Sequence, residues 1–217
     1  MSISSAREGV EKLILADEIA VCADATVCKK SAGKNSALPL AIDAVCSVCN
    51  TLYLFHGEKV CLVKANGLVE SKDVSVVFPD VAVPIYAAIH NTLNSETLIF
   101  GGDKVCRYGY DGLCFKVNSL TPLCETLSET PTGAMLSIKW GCQILFKDMK
   151  YCIFGNSWAT EFEPREKFSE VLPPEPVVGV ADFNGSSLIF TKNMVYAFDK
   201  QSDAVIGGGV AFSSFLK

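Results

Sequence analysis

The chain has 217 residues, 49% of them apolar and 20% charged, and a net charge of −5. That composition excludes a disordered chain and allows a sizeable core without disulfide or metal staples. The 19 basic residues are scattered, which argues against nucleic acid or an anionic membrane surface as partner, because phosphate binding needs concentrated positive charge; no apolar run reaches the length of a membrane span.

Residues 1–38 stand apart from the rest of the chain. Ser5 and Glu8 have capping-box spacing ahead of Val10, Leu13, Ile14 and Leu15, which predicts a helix over 6–16. Residues 18–23 alternate enough to predict a strand, expected to pair with the end of the chain and close a ring. The first residues lack the basic and apolar stretches of a signal peptide. The expected compartment is therefore the cytosol, where the ten cysteines would remain free thiols. There the glycosylation triplet Asn184-Gly185-Ser186 would carry nothing.

From residue 39 onward the chain repeats itself. Leu54-Phe55-His56-Gly57-Glu58-Lys59-Val60-Cys61 aligns without gaps with the segments at Ile99–Cys106, Leu145–Cys152 and Ile189–Tyr196. The anchoring phenylalanines, Phe55, Phe100, Phe146 and Phe190, lie 45, 46 and 44 residues apart. Each segment reads as a strand, a tight polar turn and a second strand, which is a β-hairpin. A short strand of small and apolar residues precedes each one, beginning at Ile42, Ile85, Leu136 and Val178. A polar connector with proline comes after it, as at Phe78-Pro79 and Leu172-Pro173-Pro174.

A lone sheet of this kind cannot bury both its faces, and four arranged radially can. The expected fold is all-β, a four-bladed β-propeller over 39–217 with blades near 39–83, 84–133, 134–175 and 176–217. The small residues of each first strand suit the crowded centre. A WD40-type or kelch-type propeller is the alternative, but the Trp-Asp dipeptide is missing and only Gly101-Gly102 supplies a glycine pair at a repeat position.

The motifs resemble the hemopexin-like repeat. Ile42-Asp43-Ala44 followed by Tyr53-Leu54-Phe55-His56-Gly57-Glu58-Lys59 is similar to that family's Asp-Ala-Ala and Tyr-x-Phe-Lys-Gly-Asp pattern. The connector Val77-Phe78-Pro79 through Pro84 fits, and Pro164–Phe168 resembles its short connector helix. The family's Tyr-Trp pair is replaced by Val60-Cys61, Val105-Cys106, Tyr151-Cys152 and Val195-Tyr196. The resemblance implies a binding module with an ion in a central channel, engaging a protein or small-molecule ligand. Asp43, His90 and Asp182 are then the channel candidates, and Asp43 is the candidate metal ligand. The plain structural reading is that Asp43 bonds nearby backbone amides.

Other residues carry weaker signals. Cys61, Cys106 and Cys152 share one repeat position, as buried small hydrophobes would. Cys46 and Cys49 form a Cys-x-x-Cys pair, which raises a thiol-dependent redox enzyme as the rival function. No second pair at zinc spacing accompanies it, and no Gly-x-Ser-x-Gly nucleophile motif is present. Haem ligation by His56 and His90 is disfavoured by their non-equivalent places in the repeat. His56 is expected to be exposed at its turn, and Trp140 and Trp158 are expected in the core. The expected function is non-enzymatic binding.

Overall fold

The computed structural model describes residues 38–111, 114–123, 127–155, 158–169 and 171–215, and they form an all-β protein. The helix expected over 6–16 and the strand expected over 18–23 lie outside them. Four units of antiparallel strands succeed one another along the chain. The first holds β1 (Ala44–Val48), β2 (Thr51–His56), β3 (Lys59–Lys64) and β4 (Val69–Asp73), and the second β5 (Ile85–Asn91), β6 (Glu96–Gly101), β7 (Lys104–Tyr110) and β8 (Phe115–Pro122). The third holds β9 (Gly133–Ser137), β10 (Cys142–Lys147), β11 (Lys150–Phe154) and β12 (Glu163–Pro164). The fourth holds β13 (Val177–Phe183), β14 (Ser186–Thr191), β15 (Met194–Asp199), β16 (Ala204–Val205) and β17 (Val210–Ala211). Within each unit, strands pair in chain order, except that β17 returns to β15.

Local chemistry sets the hairpins. Asn184 and Gly185 have φ of 49° and 78°, the left-handed pair that a two-residue turn of matching twist requires, so the first two residues of the Asn-Gly-Ser triplet form the β13–β14 turn. Cys49 and Asn50 make the equivalent β1–β2 turn with φ of 49° and 57°. The connector expected at 164–168 forms a short 3-10 turn over Arg165–Lys167.

The apolar residues of the repeat point between units. One core joins units one and two through Phe55, Phe78, Tyr108 and Phe115. A second joins two and three through Phe100, Leu145 and Phe154. A third joins three and four through Phe146, Phe168 and Ile189. A fourth joins four and one through Leu54, Phe190, Phe212 and Phe215. All four anchoring phenylalanines are fully buried, as are Cys106 and Cys152, with Cys61 nearly so. Each phenylalanine buried in this way stabilises by about 1.5–3 kcal/mol relative to an exposed one.

The first strand of each unit is innermost. β1 touches β5 and β13, and β9 touches β5 and β13. A parallel bridge between Gly179 and Ala134 joins the last two units into one sheet. Crowding there explains the small residues. A Cβ on Gly179 would lie 2.8 Å from Val45 Cγ1 and 2.9 Å from the Val45 carbonyl oxygen. The third inner strand starts at Gly133, earlier than the run at Leu136 predicts, and at Gly133 a Cβ would collide with the Val177 backbone. Replacing Gly179 by alanine therefore destabilises the fold by about 1–3 kcal/mol in urea unfolding, whereas the same change at exposed Gly208, where a Cβ meets nothing, leaves the midpoint in place.

Candidate functional site

The inner strands all run the same way, and their C-terminal ends converge on a cavity of about 250 Å³. Every inner strand contributes to its wall: Ser47 from β1, His90 from β5, Leu136 from β9 and Asp182 from β13. Lys200, just beyond β15, and Asn50, in the β1–β2 turn, complete the polar part. The floor is apolar, with Ile89, Val180 and Phe183. Polar groups converging over a small apolar floor can orient a small polar ligand.

Alternation along the strands puts these polar groups here. In β13, Val177, Ala181 and Phe183 are buried, while Asp182 is half-buried and turns the other way. Its carboxylate is fully engaged. Oδ1 accepts from Ser187 Oγ at 2.6 Å and Oδ2 from Lys200 Nζ at 2.7 Å. The Asp182 amide donates to Ser47 Oγ at 2.8 Å. Beside it the Asn184 amide donates to Asn50 Oδ1 at 2.8 Å. With a third, longer bond from Asn50 Nδ2 to Asn184 Oδ1 at 3.4 Å, three hydrogen bonds fasten units four and one at the cavity rim, in addition to their shared core.

His90 is half-buried, and its Nδ1 shares a hydrogen bond of 2.9 Å with the buried hydroxyl of Thr97. Burial pushes its pKa down, and the nearby Asp182 charge partly opposes that shift. The imidazole is therefore held neutral near pH 7, available to accept or donate one hydrogen bond.

The three channel candidates from the sequence separate. His90 and Asp182 come together at the cavity. Asp43 is not among its lining residues. It precedes β1, where its Oδ2 accepts from the Gly57 amide at 2.8 Å and so steadies the β2–β3 turn. Among the described residues no group of three or more His, Cys, Asp or Glu side chains is placed to hold a metal ion.

The thiol pair lends the redox alternative no support. Cys46 is fully buried, and desolvation pushes its pKa far above the ordinary thiol value, the reverse of activation. Cys49 lies in the exposed turn. His56 is half-buried rather than exposed, with Nε2 3.8 Å from Cys61 Sγ. The tryptophans depart from expectation too. Trp140, in the β9–β10 turn, is 40% exposed with its ring 5.4 Å from Phe168, and Trp158 is 54% exposed and lies over Gly155. Both sit in loops, where one face packs and the other meets solvent.

Sequence reasoning missed Lys200, Ser47 and Asn50, which carry no spacing signal. It also missed Asp203. This residue is wholly buried between units three and four, accepting from Ser137 Oγ at 2.5 Å through Oδ2, while Oδ1 has no hydrogen-bond partner among the described residues. Burial pushes its pKa up.

No protein-family profile matches the chain. The chain is 27% identical over 148 residues, 64% of its own length, to matrix metalloproteinase-C of Caenorhabditis elegans, and spans about 25% of that protein. Among solved structures, the hemopexin fold protein CP4 from cow pea aligns over 82% of this chain and 96% of its own, with a TM-score of 0.62 and 15% identity. The chain has the hemopexin fold. A plant lectin with two metal binding sites from Cicer arietinum aligns over 81% and 95%, with a TM-score of 0.63 and 14% identity. These identities speak for the hemopexin fold alone. The metalloproteinase name describes a protein that lies mostly outside the match. No helix among the described residues is long and apolar enough to cross a membrane.

Two titrations test this electrostatic picture. His90 has a folded pKa below its ordinary 6.5, so its neutral form contributes stability that is complete above that pH. That stability is lost as pH falls toward the folded value, at up to about 1.4 kcal/mol per pH unit. Unfolding midpoints between about pH 7 and pH 5 should fall less for His90→Gln than for the parent. Asp203 has the opposite sign. Its folded pKa is raised, so its stabilisation is present below the ordinary 3.8 and lost as pH rises through the folded value. Asp203→Asn should therefore be more stable than the parent at neutral pH, with the advantage vanishing in acid. Asparagine also tolerates the φ of 53° found there.

Proposed function

We propose that the chain is a non-catalytic binding module. Its four units close as a four-bladed propeller, and its ligand enters where the inner strands converge. The observation that carries this reading is the meeting of His90 and Asp182, from units two and four, in one cavity to which every inner strand contributes. The cyclic order of the four inter-unit cores supports closure.

The chemistry favours a small polar ligand. The Asp182–Lys200 pair is internally balanced, Lys200 keeps ammonium protons to offer, and His90 and Asn50 add neutral hydrogen-bonding groups. A carboxylate, hydroxyl or amide could be met there without leaving a buried charge unpaired. A protein partner at the same rim and an ion at the Asp43 end are part of the same proposal. So is a cytosolic setting: the seven cysteines among the described residues are all free thiols, as a reducing compartment would keep them.

A thermal-shift screen with amino acids, simple sugars and dicarboxylic acids tests the site. A ligand present at about 100 times its Kd stabilises by about 2.7 kcal/mol, which raises Tm by roughly 5 °C or more in a chain of this size. The expected hits stabilise the parent and fail on Lys200→Ala and His90→Ala. Hits that act equally on both variants would remove this cavity as the site.

A further inference from the structure

A second cavity lies away from the inner strands, on the outer side of the junction between units one and two. Its volume is about 310 Å³, at the small end of the range for ligand pockets and suited to a one- or two-ring molecule. Its floor is apolar and aromatic: Tyr53, Leu62 and Phe115, all more than nine-tenths buried. One wall is the helical turn Val74–Val77, from which Val76 stands 70% exposed. Beside the apolar floor, Val76 extends the apolar surface.

The rim has an unusual charge for this protein. Lys64 and Lys72 share one carboxylate, with Lys64 Nζ 2.8 Å from Glu70 Oε1 and Lys72 Nζ 3.3 Å from Glu70 Oε2. The Lys64 hydrogen bond, assisted by Lys72, holds the Glu70 carboxyl below its ordinary range, so it stays ionised. Two cations against one anion leave one positive charge among the lining residues of a chain whose net charge is −5. Each ammonium has three donors and uses one on Glu70. The nearby Asp111–Lys116 pair is balanced and adds nothing to the sum.

We infer that this groove binds a small amphipathic anion, an aromatic ring system bearing a carboxylate or sulfonate, with the rings on Tyr53 and Phe115 and the anion held by Lys64 and Lys72. The lysines attract the anion and select the sign of the charge, and the aromatic floor adds apolar contact. The site is separate from the inner-strand cavity and does not depend on it.

Anilinonaphthalene sulfonate is a suitable probe, read by fluorescence titration of the whole folded chain. One saturable site is expected. The double variant Lys64→Ala, Lys72→Ala should bind at least about tenfold more weakly, the loss expected when a charge-assisted hydrogen bond goes. Glu70→Gln should bind more tightly, because it raises the groove charge from one to two, an effect that general destabilisation would not produce. Lys200→Ala, at the other cavity, should match the parent. Cys114 is exposed and lines the groove, so saturating probe should slow its alkylation by N-ethylmaleimide while leaving exposed Cys49 unaffected. Parent-like binding by the lysine double variant, unchanged alkylation of Cys114 at saturation, or the absence of a saturable site would each overturn the inference.

Discussion

The packing of each unit's apolar face against the next is the contact on which everything else rests. A twisted four-stranded sheet with alternating side chains has two faces, and here both are apolar. In unit one, Phe55 and Val60 face unit two, while Leu54 and Cys61 face unit four. In unit three, Leu145 and Cys152 face unit two, while Ile144 and Phe146 face unit four. No unit has a core of its own, so none is expected to be stable alone. The demand is also directional: the inner strands must come close, which is why Gly179 stands where a Cβ would collide and why Ala134 and Ala87 on neighbouring inner strands are fully buried.

That same convergence creates the cavity. Four strands that end together bring their last residues within reach of one another, and residues distant in sequence become neighbours. Asp182 and Ser47 are 135 positions apart and hydrogen-bonded. His90 reaches the same space from a third direction. Because Asp182 is pinned by Ser187 and Lys200 and His90 by Thr97, their positions are fixed before any ligand arrives. Ordering them then costs a ligand little of its binding energy.

Repetition is what made the fold legible in the sequence. The spacing of Phe55, Phe100, Phe146 and Phe190 reveals the units because each occupies the same buried position, and a buried position constrains residue type. His90 and Asp182 were legible because they are polar residues on strands otherwise small and apolar. Lys200, Ser47 and Asn50 were not, because they occur once each, at turns or strand ends, and reach the cavity only after the ring of contacts has formed. Cys46 and Cys49 misled for the converse reason. A two-residue spacing in a hairpin puts one thiol in the core and the other in the turn, so a motif with meaning at a helix start has none here. Trp140 and Trp158 show the limit of reading size as burial, since a large ring on a loop can cover a neighbour and stay half in water.

The contact between the first and fourth units carries a cost that the other three do not. The chain must bring together segments separated by 134 residues, and closing a loop of that length costs about 4 kcal/mol in chain entropy beyond a constant. Phe190, Phe212 and Phe215 are all buried in that junction. At about 1.5–3 kcal/mol each, they offset the cost before any hydrogen bond is counted. The rim bonds, Asp182 to Ser47 and the pair between Asn184 and Asn50, therefore add alignment more than strength. They set the register of β13 against β1 at the point where the cavity opens. A ligand touching both Ser47 and Asp182 would bridge the two ends of the chain, so its binding and the integrity of that junction are linked: whatever loosens the fourth core should weaken binding, and bound ligand should protect that core from opening.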